Sequence, residues 1–119
     1  MSQVERNKLD AINKEINNYK SSYELIDFTD MLDRFLDPKK GDIKDKFDVV
    51  FVDEAQDLSL IQWAVIDKLE KENKGVDIWI AGDDDQAIFG WAGADVNSFI
   101  NWKSENISLE QSERVPSQI

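Results

Sequence analysis

The stretch Val49-Val50-Phe51-Val52-Asp53-Glu54 constrains this chain more than any other part of it. A continuous apolar run bounded by polar residues reads as a strand covered on both faces, the kind found in parallel sheets. The run stops abruptly on two carboxylates. In open α/β folds, ligands sit outside the carboxyl ends of such strands. Acidic residues at a buried strand end are costly unless they are solvated, paired or bound to a cation. The strand therefore marks Asp53 and Glu54 as the edge where a metal or phosphate would be handled.

The flanking segments fit one repeating plan. Leu9, Ile12, Ile16, Tyr19 and Tyr23 lie at helical spacing and predict a largely solvated helix over 3–23 with a narrow apolar stripe. Phe28, Met31, Leu32, Phe35 and Leu36 predict a second helix with Asp27 as its N-cap, stopped by Asp37-Pro38-Lys39-Lys40-Gly41. After the strand at 47–52, Ser59 and Gln62 have capping-box spacing. They open a helix from Leu60 to about Lys71, with an apolar face of Leu60, Ile61, Ala64, Val65, Ile66 and Leu69. Asn73-Lys74-Gly75 ends it. A second strand is expected over 76–81, a short helix from Val96 to Trp102 and a third strand at 107–109. Strand, helix, strand, helix, strand is the signature of an α/β fold, a parallel sheet with crossover helices.

Composition narrows the chemistry. The chain has 119 residues, no cysteine and no histidine. Thiol chemistry, disulfides, histidine bases and the usual zinc ligands are thereby excluded. No apolar stretch approaches the roughly 18 residues of a membrane span, and the N-terminus is polar. A cytoplasmic protein with no membrane partner is the expectation. The formal net charge is −11, and residues 47–119 hold fifteen acidic groups against five basic ones. Phosphate binding rests on lysine and arginine, so contact with nucleic acid must come from a few local groups or from further polypeptide.

Two segments can carry chemistry. Phosphoryl transfer from a nucleotide needs Mg²⁺ bridging phosphate oxygens and a group that positions the attacking water. A strand-end Asp53 suits the hard cation and an adjacent Glu54 can orient or deprotonate water. The bland alternative is a pair of solvated acids at the start of a helix. The second segment is Gly82-Asp83-Asp84-Asp85-Gln86-Ala87-Ile88-Phe89-Gly90-Trp91-Ala92-Gly93-Ala94-Asp95. Its acids read either as a solvated turn or as a carboxylate cluster. Gln86 can hydrogen-bond a phosphate oxygen without adding repulsion. Phe89 and Trp91, if extended, face one way and form a stacking platform for bases; the alternative places both rings in the core.

Together these segments resemble the superfamily 1 DNA helicases of the UvrD/Rep type. Asp53-Glu54-Ala55-Gln56-Asp57 is similar to their motif II, D-E-x-Q-D. Gly82 to Asp95 is similar to motif III, G-D-x-D-Q-S/A-I-Y/F-x-W-x-G-A-D/N. Leu109-Glu110-Gln111-Ser112-Glu113-Arg114 resembles the start of motif IV, and Asp27-Phe28-Thr29-Asp30-Met31-Leu32 resembles the D-F-x-D-L-L stretch before motif II. The resemblance covers about residues 25–119. It divides the chain into a helical lead-in, 1–25, and part of a P-loop NTPase (RecA-like) motor domain, 26–119.

The resemblance implies roles. Asp53 would hold Mg²⁺ and Glu54 would activate the hydrolytic water. Gln86 and Arg114 would contact the γ-phosphate of ATP, Arg114 as an arginine finger. Phe89 and Trp91 would stack on single-stranded DNA. The chain departs from the pattern in three places: Ala92 stands where many relatives have arginine, Glu113 replaces the usual tyrosine, and no Gly-Lys pair of a G-x-x-x-x-G-K-S/T loop occurs. The chain is therefore expected to be the downstream part of a first motor domain, partnered by the rest of the motor and inactive without the phosphate-gripping loop. Two other classes remain open: a metal-dependent nuclease using Asp53, Glu54 and Asp83 to Asp85, and a non-catalytic remnant that binds a protein through its acidic face.

Overall fold

The computed structural model of the chain describes residues 1–102 and 104–109. Among the described residues, four helices and two strands follow in the order α1 (Gln3–Ser22), α2 (Phe28–Leu36), β1 (Val49–Val52), α3 (Leu60–Glu72), β2 (Asp77–Ile80) and α4 (Val96–Ile100), with short 3-10 turns at Ala55–Asp57, Asp84–Gln86 and Gly90–Ala92. β1 and β2 pair in parallel, with Val49 opposite Asp77 and Val52 opposite Ile80. Parallel neighbours need a crossover, and α3 supplies it, so the centre of the fold is one β-α-β unit.

Local chemistry sets the helix limits. At α2, the Asp27 carboxylate accepts the Asp30 N–H at 2.9 Å and the Asp30 carboxylate accepts the Asp27 N–H at 2.9 Å. These two bonds satisfy N–H groups that a helix start otherwise leaves unpaired. At α3, the Gln62 Oε1 accepts the Ser59 N–H at 2.8 Å. Asn73, 3% exposed, ends α3: its Nδ2 donates to the Leu69 carbonyl while its Oδ1 accepts the Phe47 N–H. One side chain thus closes the helix and pins the approach to β1. Gly75 turns the chain at φ +88°, where a side chain would be strained. α4 stops two residues short of the expected Trp102, because the Asn101 side chain donates back to the Asn97 carbonyl at 2.8 Å.

The core lies on one side of the sheet. Ala55, Trp63 and Ile66 are buried, and Val52, Leu58, Ile78, Ile80, Phe99 and Trp102 pack around them. Trp63 and Trp102 meet with ring centroids 5.6 Å apart. Lys68 fastens α2 to α3: its Nζ donates to the Phe35 carbonyl at 2.6 Å and to the Gly41 carbonyl, and lies 5.0 Å from the Phe35 ring centroid. α1 contributes no buried residue. It is held through Lys20, whose Nζ meets Asp27 at 3.0 Å and Asp30 at 2.7 Å.

Three expectations are corrected. β1 is not covered on both faces: Phe51 is 78% exposed and its cross-strand neighbour Trp79 is 58% exposed. Side chains alternate across a strand, so helices on one face cover Val50, Val52, Ile78 and Ile80 and leave the other row in water. Ile107-Ser108-Leu109 forms no strand, and Ile107 and Leu109 are exposed. Three residues offer too few ladder bonds to hold an added strand without a covering layer. On α3 the covered face departs from the expected one at two positions: Leu60 is exposed and Trp63 is buried, while Ile66 is buried and Ile61, Ala64, Val65 and Leu69 are half-buried. The indole is the largest side chain available to fill the space under the sheet, and α3 turns it inward.

Candidate functional site

The carboxyl ends of β1 and β2 lie side by side. The Ala81 N–H donates to the Val52 carbonyl at 2.8 Å and the Ala55 N–H to the Ala81 carbonyl at 3.0 Å, which carries the pairing past both strands. The segments 53–57 and 82–86 therefore leave the sheet together. β1 has ended by Asp53, so the strand rule that sends neighbouring side chains to opposite faces no longer applies to Asp53 and Glu54.

Glu54 adopts φ 52°, ψ 40°, a left-handed conformation uncommon for any residue but glycine. Asp53 Oδ1 accepts the Glu54 N–H at 2.9 Å. Both carboxylates are exposed. Beneath them lies Gln56, 2% exposed. Its Nε2 donates to Glu54 Oε2 at 2.7 Å, and its Oε1 accepts the Asp83 N–H at 3.0 Å. Asp83 in turn accepts the Asp85 N–H at 3.1 Å and an N–H of the Gln86 side chain. Gly82 makes the close approach possible, since a Cβ there would stand 2.6 Å from Gln56 Oε1.

The loop after Gln86 is not extended, the condition on which Phe89 and Trp91 would face one way. A 3-10 turn at Gly90–Ala92 replaces the strand-like path. Phe89 and Trp91 nevertheless remain neighbours, with centroids 6.4 Å apart and planes inclined by 47°. Trp91 is 85% exposed and Phe89 42%. Past Gly93, at φ +94°, the loop returns to the first segment: the Asp95 N–H donates to the Leu58 carbonyl at 2.7 Å, and Ser59 bridges Ala94. Both candidate loops are thus tied to each other twice, by Gln56 and by this bridge.

The structure brings Asp53, Glu54 and Gln86 to one edge and presents Phe89 and Trp91 on the loop that follows. Arg114 lies outside the described residues. Among the described residues no group of three or more His, Cys, Asp or Glu converges on a cation position. Of the carboxylates the nuclease alternative would use, Asp83 accepts from the Asp85 N–H and from the Gln86 amide of its own turn. Gln56 received no role from the sequence. The signal available was its place between acids, where a buried amide must find both a donor and an acceptor partner. The concavity lined by Trp63, Asp67, Glu70, Ser98, Asn101 and Trp102 shares no residue with these strand ends.

The parallel β-α-β unit carries D-E-x-Q-D at one strand end and the Gly82–Asp95 loop at the next, and the chain belongs to the UvrD/Rep helicase family. The model of the UvrD/REP helicase N-terminal domain matches residues 1–106, and so takes in α1. The chain is 42% identical over 81 residues to DNA helicase II of Escherichia coli (strain K12), covering 64% of this chain and 11% of that protein. It is 37% identical over 105 residues to DNA helicase II of Haemophilus influenzae, covering 80% of this chain and 14% of that protein. To the ATP-dependent DNA helicase PcrA of Staphylococcus epidermidis (strain ATCC 35984) it is 34% identical over 76 residues, covering 60% of this chain and 10% of that protein. The chain spans about a tenth of the length of such relatives. Among the described residues no helix is long and apolar enough to cross a membrane.

Proposed function

We propose that this chain supplies the downstream part of the first motor domain of an ATP-dependent DNA helicase, a P-loop NTPase that couples ATP hydrolysis to movement along single-stranded DNA in the cytoplasm. Residues 1–25 form a helical lead-in and 26–119 the motor segment. The observation that carries the reading is the side-by-side placement of Asp53-Glu54 and the Gln86 turn at the carboxyl ends of neighbouring parallel strands, where α/β folds bind ligands.

Each residue has a part in this reading. Asp53 would hold Mg²⁺; its carboxylate gives one oxygen to the Glu54 N–H and can offer the other to a cation that takes few protein ligands and keeps several waters. Bound Mg²⁺ offsets charge on the phosphate oxygens. Glu54, exposed and fixed by Gln56, would orient the attacking water and accept its proton at the carboxylate. Gln86, whose Nε2 gives one N–H to Asp83, would offer the other to a γ-phosphate oxygen, a neutral contact that adds no repulsion. Arg114 would complete the site as the finger. Trp91, with Phe89 beside it, would offer its open indole face to a base.

The isolated chain should neither turn over ATP nor hold DNA tightly. It has no G-x-x-x-x-G-K-S/T loop and carries a net charge of −11. In a longer protein that joins this segment to such a loop, Glu54→Gln should lower ATP turnover at least about 100-fold and leave Mg-ATP binding intact. Turnover that survives Glu54→Gln in that protein would sink the reading. ATP turnover by the 119-residue chain alone would contradict the predicted dependence on the missing loop.

A further inference from the structure

We propose that Gln56 is a positioning residue of this site, a buried amide that fixes Glu54 at the end of β1 relative to the Asp83–Gln86 turn at the end of β2. Its purpose rests on the nucleotide-site reading above; its contacts do not. The side chain is 2% exposed, and each half of the amide reaches a different strand end. Nε2 donates to Glu54 Oε2 at 2.7 Å and Oε1 accepts the Asp83 N–H at 3.0 Å. Only the NH₂ can donate to a carboxylate and only the carbonyl can accept from an N–H, so the amide has one productive orientation.

Both ends need what Gln56 gives. Glu54 is a long, exposed side chain on a left-handed backbone, and without a partner it would sample several rotamers. The Asp83 N–H would otherwise lose its acceptor. Asp83 then passes the constraint on, through its own bonds to the Asp85 N–H and the Gln86 amide. A hydrogen-bonded chain therefore runs from Glu54 through Gln56 and Asp83 to Gln86. It joins the carboxylate assigned to water with the amide assigned to the γ-phosphate. No other residue type serves equally. Ionised glutamate has the acceptor but no donor, and would add charge beside Asp53, Glu54 and Asp83. Methionine fills the volume but bonds to neither end. Gly82 belongs to the same device, because a Cβ there would stand 2.6 Å from Gln56 Oε1 and 3.0 Å from Phe99 Cζ.

The test is nuclear magnetic resonance on the full chain, reading hydrogen exchange of the Asp83 amide and side-chain couplings of Glu54. The unsubstituted chain should show a protected Asp83 amide and one dominant Glu54 rotamer. Gln56→Met should speed Asp83 exchange by roughly tenfold or more and average the Glu54 couplings. Gln56→Glu should separate the two effects, keeping Asp83 protected while Glu54 averages. Gly82→Ala should expose the Asp83 amide without any change at position 56. A folded Gln56→Met chain with both signals unchanged would reduce Gln56 to core filling and overturn the proposal. Should that variant not fold, Gln56→Glu decides: movement of both signals, or of neither, counts against the strut. No readout here involves nucleotide or DNA. A failed ATP experiment therefore leaves this result standing, and the reverse holds as well.

Discussion

Glu54 holds a left-handed backbone conformation that costs a non-glycine residue about 1–3 kcal/mol and persists only where neighbours impose it. Here the imposing neighbours are the Ala55–Ala81 backbone bond and the Gln56 amide. A branched Cβ suits that conformation worse than a linear side chain. Glu54→Val should therefore unfold at lower urea than Glu54→Gln, by about 1 kcal/mol; coincident midpoints would argue against the strained turn. Gln56→Met should cost about 1–3 kcal/mol in the same assay, because it leaves the Asp83 N–H without its acceptor. Trp91 belongs to the opposite class. At 85% exposure its replacement by alanine should change stability by no more than about 0.5 kcal/mol. In a longer protein active on DNA, the same change should weaken single-strand binding roughly tenfold, as loss of one stacked base predicts. Unaltered DNA affinity would remove Trp91 from the interface.

At the scale of elements, α1 and α2 meet through charge rather than through a core. The Lys20 ammonium lies between the Asp30 and Asp27 carboxylates, and its hydrogen bonds, first to Asp30 and then to Asp27, raise its pKa above the ordinary lysine value. Asp30 is held below the usual carboxylate value, chiefly by its bond from Lys20 and next by the Asp27 N–H. A depressed acid stabilises above its unfolded pKa and loses that contribution as pH falls through the folded one. A raised lysine stabilises below its unfolded pKa and loses the contribution as pH rises through the folded one. The α1–α2 contact should therefore be intact across the neutral range and weaken at both extremes. Hydrogen exchange along α1 at acid, neutral and alkaline pH would show this. Lys20→Met should flatten both limbs, and a profile unchanged by that substitution would discount the tie.

Across the whole molecule, the radius of gyration is 18.6 Å, against about 13.5 Å for a compact chain of this length. α1 stands clear of the core and contributes to the excess. Phe51 and Trp79 lie side by side in water, with ring centroids 6.5 Å apart. An exposed aromatic row on a two-stranded sheet invites association. The isolated chain should bind a hydrophobic dye and self-associate with rising concentration. Phe51→Thr with Trp79→Thr should reduce both while leaving the Trp63 core folded. If dye binding and sedimentation stay the same in that double variant, the association comes from another surface.

Short-range chemistry was open to reading from residue order. Asp27 caps α2, Gln62 accepts at the head of α3, Gly75 turns the chain, and the two strands fall within the expected segments 47–52 and 76–81. Those features depend on backbone hydrogen bonds and side-chain size within a few residues, so sequence by itself determines them. The motif segments likewise fall at the two strand ends that lie side by side. What residue order could not fix was which face of each element would find a partner. The bareness of Phe51 and Trp79, the turning of Trp63 inward and the failure of Ile107 to Leu109 to pair all depend on which other layers are present. The same is true of the first strand. Val49 to Val52 delivered Asp53 and Glu54 to the edge, but only the neighbouring strand supplied Asp83 for Gln56 to bind. A bridge between residues 27 positions apart exists once β1 and β2 lie in parallel, and not before.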